Sequence, residues 1–307
     1  MSEIMTTFAR VKQFVMLLRP HQWLKNAFVF LPVFFDGSIL RPDGVLPSVA
    51  VLVAFCLAAS GIYCLNDVVD AASDRLHPVK RLRPIASGAV SPAAGCLLTL
   101  GCLSCSLLWL VCVASAVLSG RLPTVVFILC AYVAMNVAYC FWLKRIAIID
   151  VFVIATGFVL RVLAGGEATG VEPSSWLVLM TFLLALFLAF CKRRDDVVMY
   201  ESTGVLSRGN VSHYNLTFMN QIISIIASVL MVCYVMYTMS PEVTGRFGSG
   251  KVYMTTVFVL AGIIRYLQLT IVDDRSGSPT KVLLTDRFIH LCVVGWMLAF
   301  ATIIYVL

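Results

Sequence analysis

The chain has 307 residues, of which 60% are hydrophobic and only 13% charged, and its mean hydropathy is +0.95. A water-soluble fold of this length would lack the polar surface to cover itself, so the composition excludes a soluble protein and leaves an all-α polytopic membrane protein. The net charge of +7 calls for no nucleic-acid partner, because its basic residues are distributed as a membrane-topology signal.

The opening Met1–Gln13 segment is polar and has neither the apolar core nor the small-residue cleavage site of a signal peptide, so the N-terminus is expected to be kept. Apolar runs of near-spanning length follow at 24–40, 46–65, 93–118, 123–143, 146–165, 174–191, 217–240, 252–272 and 288–307, and they predict nine transmembrane helices in a single domain over 1–307. The first run is the weakest: Pro32 interrupts it, and Lys25 and Asp36 bound a short apolar core, which predicts a tilt or a kink. Under this layout eighteen Lys and Arg fall on the side of the N-terminus and four, Arg41, Arg121, Arg246 and Lys251, on the other. The positive-inside rule then places the N-terminus in the cytoplasm and Leu307 outside, in an integral inner-membrane protein. The eleven cysteines lie in or beside apolar runs and read as small buried hydrophobes.

At the end of the second run stands Asn66-Asp67-Val68-Val69-Asp70-Ala71-Ala72-Ser73-Asp74. On a helix turning about 100° per residue, Asn66, Asp67, Asp70 and Asp74 share one narrow sector. Carboxylates crowded at membrane depth repel one another and are poorly solvated, so they need a compensating charge. Magnesium (Mg2+) suits them, because it takes hard oxygen ligands and completes its shell with water and phosphate oxygens. Lys80, Arg81 and Arg83 follow directly and can clamp phosphate, although each can equally be a topological anchor.

A second charged stretch after the sixth run is expected to be a loop. It reads Lys192-Arg193-Arg194-Asp195-Asp196 and continues to Tyr214 and Asn215. Lys192, Arg193 and Arg194 fit either a phosphate clamp or an ordinary helix-end basic cluster; Tyr214 and Asn215 fit either sugar contacts or a helix cap. Asp150 and Arg161, at and within the fifth run, suit either a mutual contact or ligand binding. His21, His77, His213 and His290 show no ligand spacing.

The Asn66–Asp74 stretch resembles the N-D-x-x-D-x-x-x-D motif of the UbiA superfamily of intramembrane prenyltransferases, and nine spans with charged cytoplasmic loops after spans two and six resemble that family's layout. The resemblance implies a UbiA-like bundle in which Asn66, Asp67, Asp70 and Asp74 hold magnesium against a donor diphosphate. The family's usual second motif, D-x-x-x-D, is absent, since Asp195 and Asp196 are adjacent, so a second metal site is not expected. Leu18-Arg19-Pro20-His21-Gln22-Trp23-Leu24-Lys25-Asn26, the HPVKRLRPIASG segment, Lys144-Arg145 leading to Ile149-Asp150, the Arg161–Gly166 segment and KRR are similar to the decaprenyl-phosphate phosphoribosyltransferase branch. This likeness implies phosphoribosyl diphosphate as donor, a polyprenyl phosphate as acceptor and a role in cell-envelope lipid-linked sugar synthesis. The charge pattern agrees: three anionic groups call for several cations, supplied by Lys25, Lys80, Arg81, Arg83, Lys192, Arg193 and Arg194, with Asp67, Asp70 and Asp74 as the catalytic acids. The expected partners are membrane lipid and the two substrates, with a homo-oligomer left open. Two other readings stay open: isoprenyl transfer to an aromatic or other apolar acceptor, and a cation-binding transporter, although a transporter would set its acids near mid-membrane rather than at one mouth.

Overall fold

The computed structural model describes residues 11–118, 120–204, 211–246, 250–274 and 277–305. Arg10, Arg208 and Arg275 of the topology count, and the chain end at Leu307, lie outside the described residues. Every regular element among the described residues is helical.

Residues 11–18 are helical, and a tight 3-10 segment, Pro20–Phe30, then runs into α1, Leu31–Asp36. The first expected span is therefore not one continuous α-helix. Pro20 and Pro32 each remove a backbone donor, and Gly37 in the left-handed region (φ 80°) stops α1 after six residues. The remaining long helices follow the apolar runs closely: α2 Pro42–Val69, α4 Pro92–Leu118, α5 Leu122–Phe141, α6 Ile149–Thr169, α7 Ser175–Thr203 and α8 Leu216–Met239. They are joined by the 3-10-plus-α10 span Val252–Ile271, whose α10 part is Thr256–Ile271. Short α3 (Ala71–Leu76) follows α2, short α9 (Pro241–Arg246) follows α8, and α11 (Pro279–Thr285) meets α12 (Arg287–Tyr305) at a bend of 83°. Seven described helices are long and apolar enough to cross a membrane, or eight if the bent α11–α12 pair is one span.

Local chemistry sets these boundaries. Proline occupies the first turn of α2, α4, α5 and α11, where its missing N–H costs nothing. The side chains of Ser91, Ser174 and Asn215 accept hydrogen bonds from the backbone N–H three residues on. The sharpest departure from expectation is α7. The charged stretch from Lys192 onward is not a loop, because Lys, Arg and Glu are good helix formers and nothing breaks the helix before Gly204, which ends it at φ 68°.

The chain packs as two compact units. One comprises Met1–Ile146 with Leu160–Glu172, the other Ala147–Val159 with Pro173–Leu307, and α6 contributes a segment to each. In the first unit Ala50, Ala54 and Ala58 of α2 let Leu110, Val125, Leu129 and Ala164 approach closely, the small-residue packing expected where lipid removes the usual hydrophobic drive between helices. In the second, Phe187, Cys191, Met219, Ile223 and Tyr266 form the centre.

Gly165 marks the tightest approach in the first unit: a Cβ there would sit 2.0 Å from the Val29 carbonyl oxygen, a backbone atom that cannot rotate away. Gly165→Ala is expected to lower thermal stability in detergent by about 1–3 kcal/mol through overpacking. Gly101→Ala, where nothing lies within 4 Å, is expected to leave the melting temperature unchanged or slightly raised. Equal behaviour of the two would refute the close packing.

Candidate functional site

The acidic motif sits at the end of α2, and the helical hydrogen-bond ladder carries through it, with Asp70 N–H bonded to Asn66 C=O at 2.9 Å and Asp74 N–H to Asp70 C=O at 2.8 Å. The expected common face is therefore kept across the break between α2 and α3. Asp67 and Asp74 are buried, and Asp70 is partly exposed. Three basic side chains converge on them. Arg19 reaches Asp67 at 2.5 Å. Arg83 bridges Asp67 at 3.2 Å and Asp74 at 2.7 Å through one guanidinium nitrogen. Lys144 donates to Asp70 at 2.5 Å and to the Asn66 carbonyl at 3.2 Å, while the Asn66 amide N–H donates to Asp70 at 3.0 Å. Each acid of the motif thus has a cationic partner, and the cluster is a charge-balanced network within the first unit.

The backbone around the network is committed to this arrangement. Arg19 lies in the left-handed region at φ 51°, which costs a non-glycine residue of order 1–3 kcal/mol, and its guanidinium stacks 5.1 Å from the Tyr63 ring centre. Lys144 projects from a short 3-10 turn, Leu143–Arg145, directly after α5. Of the basic trio that follows the acids, Arg83 turns inward; Arg81 is exposed and Lys80 half-buried, with the His77 ring nitrogen accepting from the Val79 and Lys80 N–H groups at 3.1 and 3.2 Å.

In the second unit the expected site residues have structural duties. Arg193 is 1% exposed, pairing with Asp150 at 2.6 Å and Asp196 at 2.9 Å. Arg194 donates to Asn220, to Asp274 and to the Thr270 and Ile271 carbonyls that end α10. Both arginines are ion-paired in the second unit, and Lys192 beside them is half-buried. The Tyr214 hydroxyl accepts the Ile148 N–H at 2.6 Å and holds that residue at φ 70°, while burial pushes its phenol above the usual pKa and keeps it neutral. Asn215 caps α8 by accepting the Phe218 N–H at 2.8 Å. Asn215 thus plays the capping role that was one of its two readings, and Tyr214 anchors the turn before α6. Asp150 accepts from Arg193 in the second unit, and Arg161 in the first donates to Asn26 at 2.7 Å and to Tyr132 at 2.8 Å.

The donor set of the acidic motif, three carboxylates and one amide, is of the hard-oxygen type that suits magnesium. Among the described residues no three Asp, Glu, His or Cys side chains are already arranged around one point as ligands, because each carboxylate is turned toward a cation. The chemistry of the residues fits a divalent ion. Arg19 and Lys144 are the two members of the network that composition and spacing alone did not single out; the available signal was their position immediately beside apolar runs on the side carrying the basic excess.

The sequence matches the UbiA prenyltransferase family over residues 29–304. It is 33% identical to the decaprenyl-phosphate phosphoribosyltransferase of Mycolicibacterium smegmatis, an alignment covering 96% of this chain and 93% of that one. It is 32% identical to the protein of the same name from Mycobacterium tuberculosis, over 92% of this chain and 91% of the relative. In fold it resembles the UbiA homologue from Archaeoglobus fulgidus bound to GPP and Mg2+, with a TM-score of 0.68 at 18% identity, covering 96% of this chain and 100% of that one.

The buried Arg193 network yields a stability prediction. Arg193→Met strands Asp150 and is expected to cost about 3–5 kcal/mol, read as a fall in melting temperature and in yield of folded protein. The double variant Arg193→Met with Asp150→Leu is expected to recover much of that loss. A well-folded Arg193→Met whose only defect is a raised donor KM would return Arg193 to the binding site.

Proposed function

Because the chain belongs to the UbiA prenyltransferase family, we propose that its acidic network is the donor site of a polyprenyl-phosphate phosphoribosyltransferase of the inner membrane. The reaction moves a 5-phosphoribosyl group from phosphoribosyl diphosphate to a decaprenyl-type phosphate. The bond from ribosyl C1 to the diphosphate oxygen breaks, the electron pair leaves with diphosphate, and a new bond forms from C1 to an oxygen of the lipid phosphate. The names of the relatives aligned over nearly the whole chain support the donor and acceptor. The observation that carries the site is that Asp67, Asp70 and Asp74 are already met by Arg19, Arg83 and Lys144 at 2.5–3.2 Å.

The roles follow from that balance. Magnesium, held by Asn66, Asp67, Asp70 and Asp74, neutralises the leaving diphosphate when bound. Arg83 and Lys144 exchange a carboxylate partner for phosphate oxygens as the donor arrives, so they change partners without ever being left uncompensated at membrane depth. Arg83 contacts the acids through a single nitrogen, which keeps the rest of its planar fork for phosphate. Arg19, fixed by its backbone and by Tyr63, holds Asp67 in place. A lipid phosphate is anionic at neutral pH and attacks without a strong general base, so Asp67 positions groups rather than moving a proton.

The same reading places the site at the cytoplasmic mouth, consistent with the basic excess on that side. It also counts residues 20–36 as a ninth crossing: rises of about 2.0 Å per residue in the 3-10 part and 1.5 Å in α1 carry a straight path roughly 30 Å, the thickness of a bilayer core.

Incubating the purified protein with magnesium, labelled phosphoribosyl diphosphate and decaprenyl phosphate is expected to give a lipid-extractable label that disappears with a chelator. Asp70→Ala and Asp74→Ala are each expected to lower turnover about a hundredfold or more while the protein still folds, and Lys144→Met to raise the donor KM about tenfold. Isoprenyl transfer from an isoprenyl diphosphate with no ribosyl transfer would overturn the assignment in favour of a prenyltransferase.

A further inference from the structure

Within the first unit, the segment that precedes α1 lies along one stripe of α2. The Asn26 amide donates to the Cys56 sulfur at 3.2 Å, the Trp23 indole N–H to the Ser60 hydroxyl at 3.0 Å, the Ser60 hydroxyl to the Leu18 carbonyl at 2.9 Å, and the Cys64 thiol, more weakly, to the Leu17 carbonyl at 3.9 Å. Arg19 then meets Asp67. Cys56, Ser60, Cys64 and Asp67 follow one another at intervals of four, four and three residues, so all four share one face of the helix. The face that carries the first acid of the motif is thus the face that grips residues 17–26.

Arg19 stands where a helix end commonly carries glycine. The helix over residues 11–18 stops against it, and its backbone is left-handed at φ 51° and ψ 58°. At such an end glycine avoids the steric conflict, and backbone N–H groups just beyond it fold back onto the last carbonyls. Here the residue is an arginine, and the next one, Pro20, has no N–H to give. Side chains of α2 take over that duty, Ser60 for the Leu18 carbonyl and Cys64 for the Leu17 carbonyl. Ser60 is 1% exposed, and accepting the Trp23 indole N–H leaves its own proton for Leu18. On the other side the Gln22 N–H closes the turn onto the Arg19 carbonyl at 2.9 Å. Tertiary hydrogen bonds therefore hold a backbone conformation that the local sequence does not favour.

We propose that Ser60 is a positioning residue for the donor site, acting through Arg19 on Asp67. The proposal rests on the reading of the acidic motif as the site of a magnesium-bound diphosphate. Asp67 is buried, and Arg83, one of its two cations, is shared with Asp74. Arg19 sets the end of its guanidinium on Asp67 and its flat face on Tyr63, so it goes on compensating Asp67 when Arg83 turns to phosphate. That service depends on the direction in which the side chain leaves the backbone. If Arg19 relaxed to an ordinary backbone region, its Cα–Cβ bond would swing, and the length of the side chain would turn that swing into a displacement larger than a hydrogen bond tolerates. Ser60 touches neither metal nor substrate in this reading. It keeps a carboxylate aimed, the outer-shell duty on which metal affinity depends.

The experiment uses the full chain in detergent, with Ser60→Ala, Ser60→Thr, Arg19→Met and the double variant Ser60→Ala with Arg19→Met. Magnesium is titrated in the presence of inorganic diphosphate while the melting temperature is followed, a reading that needs no turnover. Ser60→Ala is expected to raise the half-saturating magnesium concentration about tenfold, as loss of an outer-shell partner does. Ser60→Thr, which keeps the hydroxyl, is expected to stay within about twofold of the parent, and the double variant within about twofold of Arg19→Met, because two residues acting along one route are not additive. In the transfer assay Ser60→Ala is expected to raise the donor KM about tenfold and leave the acceptor KM within about twofold. A Ser60→Ala protein that binds magnesium like the parent, or one whose defect multiplies with that of Arg19→Met, overturns the proposal. Should Ser60→Ala not fold, Trp23→Phe, which removes the bond that orients the hydroxyl, is expected to show the same loss and the same non-additivity, and a parent-like titration there overturns the proposal. Ser60-dependent magnesium binding in a parent that performs isoprenyl rather than ribosyl transfer would overturn the proposed reaction and leave the positioning role standing. A parent that magnesium and diphosphate do not stabilise would overturn both.

Discussion

Three carboxylates at the end of a membrane helix govern the rest of the first unit. At that depth none of them is tolerable alone, because lipid and packed side chains cannot solvate the charge that water would. The structure answers with one cation for each acid, drawn from three different places in the sequence: Arg19 before the 3-10 segment, Arg83 after α3, and Lys144 after α5. Those three ion pairs tie the chain's early segments to α2, and the left-handed backbone at Arg19 shows that local strain is accepted to complete them. The same property that makes the cluster structurally expensive makes it useful. A network whose charges are matched pairwise can exchange an internal partner for an external one, whereas a network of unmatched acids would have to be built around a permanently bound ion.

The legibility of the fold followed the physics of each signal. Span positions are readable because lipid imposes a strict compositional rule, and eight of the nine expected runs have a helical counterpart in seven long helices and the bent α11–α12 pair, with α7 continuing well past its run to Thr203. The exception, Pro20–Asp36, is where two prolines interrupt the pattern, and hydropathy alone does not distinguish a 3-10 path from an α-helix. The acidic motif was readable because spacing along a helix fixes a face. Arg83 is legible as one of the basic trio after the acids, whereas Arg19 and Lys144 are not, since they are brought to the motif by tertiary packing and no local spacing encodes that. The stretch from Lys192 to Thr203 was misread as a loop for a related reason: charge density suggests solvent exposure, but propensity continues the helix until a glycine ends it.

Burial alone would have ranked Arg193 first among functional arginines, since it is the largest side chain with almost no exposure. What separates a structural arginine from a recruiting one is the chemistry of its partner. Arg193 spends its charge on Asp150 and Asp196, and Arg194 satisfies a carboxylate and the last carbonyls of a neighbouring helix. Both stabilise the geometry of the second unit. Arg83 meets Asp67 and Asp74 through a single nitrogen, and the phosphoribosyl-transfer reading gives it phosphate as a further partner.

That distinction bears on how one fold can serve different acceptors. An aromatic or apolar acceptor brings no charge, so a transferase acting on it needs cations only around the diphosphate of its donor. An acceptor that is itself a phosphate, used with a donor carrying a further phosphate, requires positive charge away from the metal site, placed so that the anions are held apart from one another until the ribosyl carbon is attacked. Repulsion between donor and acceptor would otherwise oppose the very approach on which the reaction depends.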